Sequence, residues 1–395
     1  MSSISEIKKY DVIVCGGGIA GISAAIAAAR QGMKTAIVEK QCLLGGLATS
    51  GLIYIYLPLD DGYGRQLTGG ISEEMIRKCS QYGPFDLPEK WGGISGGNPG
   101  VSQARFQCCF SPAGFTLVLD KMLLEAKVDL WLDSTIYDVE MNEKQLRGIY
   151  VYNSSGRSKL YAESFVDATG GAFVLQMAGA EVFYEKNYCT PWFMEKSENA
   201  RHFHFSGALH VQCAGLMNKE EFLQKNCHKG KETTNFVRKS WELIRARYDD
   251  GKFLQKKKNY PVHLPAMPQI RKIAAVKCRK MLDSCDHNTH FEDSIGLAGD
   301  WRQPGPVWET PCDALVPQNV EGVFVAGRCM GALNDAWEVY RVIPVAAMTG
   351  EVAGIAAAFC AKKHCSTHEI DYKTIQDALR KKSVLLYKTE LKKSE

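Results

Sequence analysis

Three glycines, Gly16, Gly18 and Gly21, are spaced GxGxxG, and a carboxylate, Glu39, follows eighteen residues after the last of them. Together these residue types describe a dinucleotide site. The first glycine allows a tight turn, the second lets backbone approach a pyrophosphate, and the third lets a helix pack closely on a strand. Backbone N–H groups at the helix start, around Ile19 and Ala20, then face the phosphates, aided by the positive end of the helix dipole. Glu39 is placed to accept hydrogen bonds from ribose hydroxyls and to repel a 2′-phosphate, which disfavours an NADP-type ligand here.

A lone GxGxxG is only a glycine-rich loop, so the elements around it carry the weight. YDVIVC, Tyr10 to Cys15, is an apolar β-branched run that predicts a buried strand. Ile19 to Gln31 continues as an alanine-rich helix ended by Gly32, and KTAIVE, Lys34 to Glu39, reads as the second strand. After Lys40, the stretch QCLLGGLATSG brings a second glycine pair, Gly45 and Gly46, followed by Leu47 and Ala48. A plain NAD domain has no need of it; a longer ligand lying along the chain does. Further on, Ser111 to Lys127 reads as a helix, Val128 to Leu132 as a strand, and Thr135 to Phe165 as a meander turning at Asn142-Glu143 and Asn153 to Gly156. The meander ends in FVDATGG, and a late VFVAGRCMG repeats the pattern of an apolar strand running into glycines. A core strand and helix alone would not call for glycines at 327, 331 and 350.

The order of DVIVCGGGIAGISAAIAAARQG, VEKQCLLGGLATSG, FVDATG, MPQIRK, DSIGLAGDW and VFVAGRCMG, from about residue 10 to about residue 387, resembles the FAD-dependent oxidoreductase family among the glutathione-reductase-type and fumarate-reductase-like flavoproteins. The resemblance implies an α/β fold: a Rossmann-like FAD-binding domain, with a parallel sheet plus β-meander, and an inserted α+β substrate cap. Residues 1–179 form the first part of the FAD domain, 180–291 the cap, 292–362 the return segment, and 363–395 a C-terminal helix and tail. It also implies non-covalent FAD, its adenosine end near Gly16 to Glu39 and Lys40. The flavin end falls to Gly45, Gly46, Leu47 and Ala48, to Ala168, Thr169 and Gly170, and to Gly327 and Arg328. A helix over Pro344 to Cys360 is expected to aim its start, Pro344, Val345 and Ala346, at the flavin ring, where positive helix-end potential favours the anionic reduced form. The chain departs from the pattern at three places. Arg328 stands where many relatives carry an acid, Gly171-Ala172 follow the ATG element, and Ile273-Ala274-Ala275 replace a second arginine.

Flavin does the hydride chemistry, so the protein need supply only binding groups and a proton donor or acceptor. Arg271, which matches the family's retained arginine, is suited to hold a substrate carboxylate bidentately. Arg341 is the second substrate-side candidate, and Trp308 and Tyr340 are candidate ring neighbours. His204 or His202, in RHFHF, offers a group titrating near neutrality for acid–base work. Cys285, His287 and His290 have spacings a metal accepts, but without a further anchored ligand no metal is expected. Cys108-Cys109 reads as structural thiols.

Fourteen cysteines without zinc-ribbon or CxxC spacing point to a reduced, cytoplasmic setting. The longest apolar run, Val12 to Ala29, is interrupted by three consecutive glycines and reads as strand, turn and helix, so no membrane span is expected. Residues 221–280 hold sixteen Lys/Arg against five Asp/Glu, a local +11 in a chain whose total is +4. Such a surface steers acidic partners: an anionic small-molecule substrate or an acidic electron carrier. No second GxGxxG unit is present, which leaves NAD(P)H only a transient site as reductant. Two further readings stay open, a flavin-bearing electron-transfer subunit of a larger complex and an RNA-modifying flavoprotein, although nucleic acid is not the expected partner.

Overall fold

The computed structural model describes residues 4, 6–83, 85–93, 105–185, 187, 189–196, 204–205, 209–213, 230–249 and 259–391. The chain opens on β1 (Glu6–Cys15), α1 (Ile19–Arg30) and β2 (Thr35–Val38). The short paired strands β3 (Ile55–Tyr56) and β4 (Cys108–Cys109) bracket α2 (Gly70–Ser80), after which α3 (Pro112–Glu125) leads to β5 (Asp129–Trp131). Ser111 starts α3 by accepting the Gly114 N–H at 3.2 Å, as a serine N-cap does. A meander of β6 (Thr135–Asn142), β7 (Gln145–Asn153) and β8 (Gly156–Asp167) follows, then α4 (Phe173–Met177).

The sheet order is β5-β2-β1-β8-β7-β6. β8 holds it together. One edge runs parallel to β1 along its length, from Glu6↔Ser158 to Cys15↔Asp167, while the other edge is shared, taking β7 antiparallel over Gly156 to Tyr161. This long pairing explains why β1 begins at Glu6 rather than at Tyr10, where the apolar run starts.

The segment expected to form the cap contains β9 (Val182–Phe183), β10 (Trp192–Lys196), β11 (His204–Phe205), β12 (Leu209–Cys213), α5 (Gly230–Asp249), β13 (Tyr260–His263) and β14 (Ala275–Val276). Four of these strands pair in the order β11-β12-β10-β13. α5 is tied to β10 through buried Glu195, which takes Arg247 at 3.0 and 3.1 Å and the Tyr248 hydroxyl at 2.6 Å.

The return comprises β15 (Ser294–Gly299), β16 (Val307–Pro311), β17 (Val323–Val325), α6 (Asn334–Tyr340) and α7 (Ile343–Lys363), closed by α8 (Tyr372–Arg380). β17 takes the remaining edge of β8, parallel, with Val325 opposite Asp167. Thus β1, β8 and β17 lie side by side and end at the same level.

α7 is long and apolar enough to cross a membrane, yet 89% of its apolar window is buried within the protein. Its neighbour is α1. A Cβ at Gly350 would come within 2.1 Å of the Ala20 carbonyl oxygen, and one at Gly354 equally close to that of Ala24. The glycine at 350 therefore serves helix-to-helix contact, and Gly331 similarly sits 2.6 Å, by its missing Cβ, from the Lys280 carbonyl. Pressed between the sheet and α7, α1 is buried without interruption from Ile19 to Ala28, which accounts for its alanines. Val12 to Ala29 resolves into β1, the glycine turn and α1.

Candidate functional site

In open α/β sheets a ligand lies in the crevice beyond the carboxyl ends of the strands. Here three loops leave neighbouring strand ends: Gly16–Gly18 after β1, Ala168–Gly170 after β8, and Ala326–Arg328 after β17. All three line one cleft.

The glycines of the first loop divide the work. Gly16 needs its φ of +103°, and a Cβ there would meet the Ala168 carbonyl oxygen at 2.7 Å. Gly21 faces inward instead: its Cβ would lie 1.9 Å from the Gly16 carbonyl oxygen, so it does not line the cleft but lets α1 seat against the loop. Gly18 alone has no atom within 4 Å of a Cβ position and lines the cleft, leaving a cradle that a side chain would fill. Ile19 and Ala20, in the first turn of α1, line it too.

Glu39 fixes the loop's far side by accepting Gly17 N–H at 2.6 Å and Gln41 N–H at 2.9 Å, and lines the cleft with Lys40 and Gln41. Lys40 lies over the Phe173 ring at 5.8 Å. The second glycine pair is joined to the first loop: Gly45 N–H donates to Gly17 O at 2.8 Å, and a Cβ on Gly46 would stand 3.3 Å from the Gly18 Cα. Gly45, Gly46, Leu47 and Ala48 all reach the cleft. Their glycines answer to close backbone approach as much as to a ligand.

Behind the second loop sits Asp167, fully buried, accepting Thr169 N–H at 3.0 Å, its hydroxyl at 2.7 Å and Leu175 N–H at 2.9 Å. Burial pushes its carboxyl above the usual range, against the lowering effect of those bonds. Arg328 ties the second and third loops together. Nε donates to Gly170 O at 2.7 Å and Nη1 to Ile270 O at 2.6 Å, and among the described residues no carboxylate pairs with it. Burial pushes its pKa down to about 10, with Arg341 adding like-charge repulsion, so the cation persists at neutral pH.

Arg341 lines the cleft and is held by Glu338, Nε to Oε2 at 2.7 Å. Lys272 joins the same carboxylate at 3.0 Å and Glu185 at 2.7 Å. Burial works to raise the Glu338 carboxyl, but Arg341 and Lys272 outweigh it and hold it below the usual range. The start of α7 has no side-chain cap, so its first N–H groups are without partners inside the helix. Ile343 and Ala346 line the cleft there, sharing a face three residues apart. Pro344 and Val345 do not: the Pro344 carbonyl takes the Ser72 hydroxyl at 3.0 Å, and Val345 is buried.

Arg271 is half-buried next to the cleft rather than on its wall, close enough to Cys189 for its charge to act on that thiol, while Ile270 and Ile273 form the wall. His204 is in β11, opposite His210 of β12, and His202 lies outside the described residues. Trp308 and Tyr340 are core residues, bonded to the Asp283 carbonyl and the Thr310 hydroxyl. His287 bonds the Ser284 carbonyl and His290 bonds buried Glu309, both at 2.8 Å; among the described residues no group of three metal-ligating side chains assembles. Cys108 and Cys109 are buried, and burial pushes the Cys109 thiol up.

Sequence reasoning missed several wall residues. Met267, Pro268 and Ile270 lie in the MPQIRK element, whose place in the motif order was the available signal. Phe173 directly follows the GGA turn, whereas nothing in the sequence marked Thr233 of α5.

The cleft suits a long dinucleotide: a glycine cradle at Gly18, a carboxylate at the second strand's end, two helix starts and a half-buried cation on one wall. The class so defined is a Rossmann-type flavoprotein. The FAD-dependent oxidoreductase family matches the chain over residues 11–290 and 281–379, and the chain belongs to that family. It is an FAD-dependent oxidoreductase.

Among solved structures, the chain is similar to a geranylgeranyl bacteriochlorophyll reductase-like protein from Thermoplasma acidophilum, at 15% identity and TM-score 0.46 over 95% of this chain and 84% of that one. It is similar to the myxobacterial chondrochloren halogenase CndH at 14% identity and TM-score 0.48, covering 95% and 79%. The Mycobacterium smegmatis Sdh1 complex matches at 13% identity and TM-score 0.47, covering 95% and 72%. No curated protein sequence matches the chain.

Proposed function

We propose that the cleft holds FAD without a covalent bond and that the enzyme transfers hydride between flavin and a small organic substrate bearing an anionic group. The observation that carries this reading is the meeting of three parallel strand ends around the open Gly18 cradle. Gly18, Glu39 and the start of α1 hold the adenosine and pyrophosphate end; Gly45 to Ala48, Gly327 and Ala346 hold the other. Non-covalent binding is supported by the wall's chemistry, since no Cys, His or Tyr is among the described residues lining the cleft.

FAD, when bound, supplies the hydride acceptor or donor. The chain's own groups do the rest. Met267, Pro268, Ile270 and Ile273 give an apolar wall that excludes water. Arg328 and the uncapped start of α7 favour negative charge in the cleft. Arg341 spends Nε and Nη2 on Glu338, leaving Nη1 for a substrate anion. A transient NAD(P)H or an acidic carrier is the electron partner in this reading, and the cytoplasm its setting.

The test is the visible spectrum of the purified protein under argon, before and after NADH and then NADPH. Flavin absorption that bleaches identifies a pyridine-nucleotide-fed reductase. A yellow protein that stays unbleached identifies a substrate-fed dehydrogenase or a carrier-fed subunit. A colourless protein that takes up no added FAD overturns the reading.

A further inference from the structure

We propose that the substrate is an amphiphile, its anionic group at Arg341 and its hydrocarbon chain laid along α5 in a groove that opens from the cofactor cleft. This placement rests on reading the cleft as the FAD site. The cleft wall ends at Thr233, Met267 and Pro268. On the other side of Met267 and Pro268 lies a second hollow, walled by Phe236, Val237, Ser240 and Trp241. Trp241 in turn walls a third, open hollow with Ile244, Tyr248, Val262 and Leu264, which Arg245, Asp249 and His263 also line. The three follow successive turns of α5, and Thr233 to Tyr248 spans ~22 Å of helix.

The packing under α5 leaves this space. Among the described residues, Phe236 clusters with Cys189 and Ile270, with Leu243 and Ile273 packed against them, and Ile244 and Tyr248 cluster with Phe193, each group separate from the main core. The polar atoms of Ser240, Gln269 and Tyr248 on the wall are already engaged. Ser240 donates to the Phe236 carbonyl at 2.9 Å, Gln269 accepts Trp192 N–H at 2.8 Å and donates to Trp192 O at 2.9 Å, and the Tyr248 hydroxyl bonds Glu195. What remains for a ligand is mainly hydrocarbon surface, with Arg245, Asp249 and His263 on the outer hollow. At the outer end Trp241, Val262 and Leu264 are 42%, 44% and 39% exposed, an alignment of large apolar side chains that a small water-soluble substrate leaves uncovered. The wall residues shared with the cleft, Met267 and Pro268, and the Arg341 cation on that cleft select one occupant: a chain with an acidic head.

The experiment titrates the FAD-saturated protein with hexanoate, octanoate, decanoate and dodecanoate by calorimetry, with flavin absorbance recorded first. Affinity is expected to rise about two- to four-fold per added methylene, as burial of each CH₂ requires. Val237→Trp, which plugs the groove, and Leu264→Asp, at its exposed end, are each expected to flatten the series without changing FAD affinity. Arg341→Gln is expected to weaken every member equally and keep the slope. Equal affinities across the series, or a slope untouched by both groove variants, overturn the proposal. So does a flat series in a protein that self-associates through this face, seen as a smaller sedimenting species for Leu264→Asp. A protein that never acquires flavin absorbance fails earlier, at the cleft reading itself.

Discussion

Gly18→Ala and Gly21→Ala separate the two tasks of one motif. At Gly18 the backbone φ is −75°, ordinary for any residue, and a Cβ meets no atom within 4 Å. Alanine is a poorer N-cap than glycine, by up to ~1 kcal/mol, and restricts the unfolded chain, worth about 0.4–1 kcal/mol in the other direction. The two nearly cancel, so the FAD-free protein should melt within a few degrees of the parent. The new methyl instead enters the cradle, and loss of close backbone approach by roughly 1.4 kcal/mol or more weakens FAD at least tenfold. At Gly21 the added Cβ lies 1.9 Å from the Gly16 carbonyl oxygen and 3.1 Å from its carbon. Backbone against backbone has no rotamer to relieve it, so α1 must shift, at about 1–3 kcal/mol or beyond. Melting followed by circular dichroism on FAD-free protein, and FAD titration followed by flavin fluorescence, read the two effects separately. If Gly18→Ala binds FAD like the parent, the ligand does not pass over Gly18; if Gly21→Ala melts like the parent, the seating of α1 is wrong.

Glu39→Gln keeps one acceptor where the carboxylate serves two N–H groups, leaving one opposed by an amide NH₂, and should weaken FAD about tenfold in the same titration. Gly354→Ala should lower the melting temperature of the FAD-free protein more than Ala353→Gly does, because its Cβ would stand 2.1 Å from the Ala24 carbonyl oxygen. Glu338, with a carboxyl held below its ordinary 4.5, contributes stability that is full above that pH and lost as pH falls through the depressed value. Melting curves of parent and Glu338→Gln should therefore converge as pH drops below 4.5, and a gap unchanged from pH 6 to pH 3 would contradict the network.

The elements bearing the glycine loops were legible in the sequence because each has a local signature. β1 and β2 are short apolar runs, α1 stops at Gly32, α3 starts on Ser111, and the meander turns where Glu143 adopts φ +54° and Gly156 φ +102°. The position of β17 on β8 is not local; placing the late VFVAGRCMG stretch at the flavin end of the one cofactor rested on the resemblance, and the pairing of Val325 with Asp167 is what brings it to the same cleft. Side-chain roles were less legible still. Arg328 was expected to meet the ligand and also clamps two carbonyls, Arg271 gave its place on the wall to Ile270 and Ile273, and Pro344 and Val345 turn away from a cleft that Ile343 and Ala346 face. These outcomes depend on which side of a helix or extended segment meets a neighbour hundreds of residues away.

That β8 offers its last three residues to a strand arriving late in the chain has a consequence for biogenesis. Loops at residues 16–18 and 326–328 are about three hundred positions apart, and α1 acquires its glycine-faced partner only when α7 has been made. Until then the nascent sheet carries an unpaired edge and an uncovered helix, the long-range parallel pairing that forms slowly and aggregates readily. Because FAD would bind only the completed cleft, it would draw the folding equilibrium toward the finished protein by mass action. Flavin supply in the producing cell should thus govern how much of this polypeptide survives synthesis, independently of any demand for its activity.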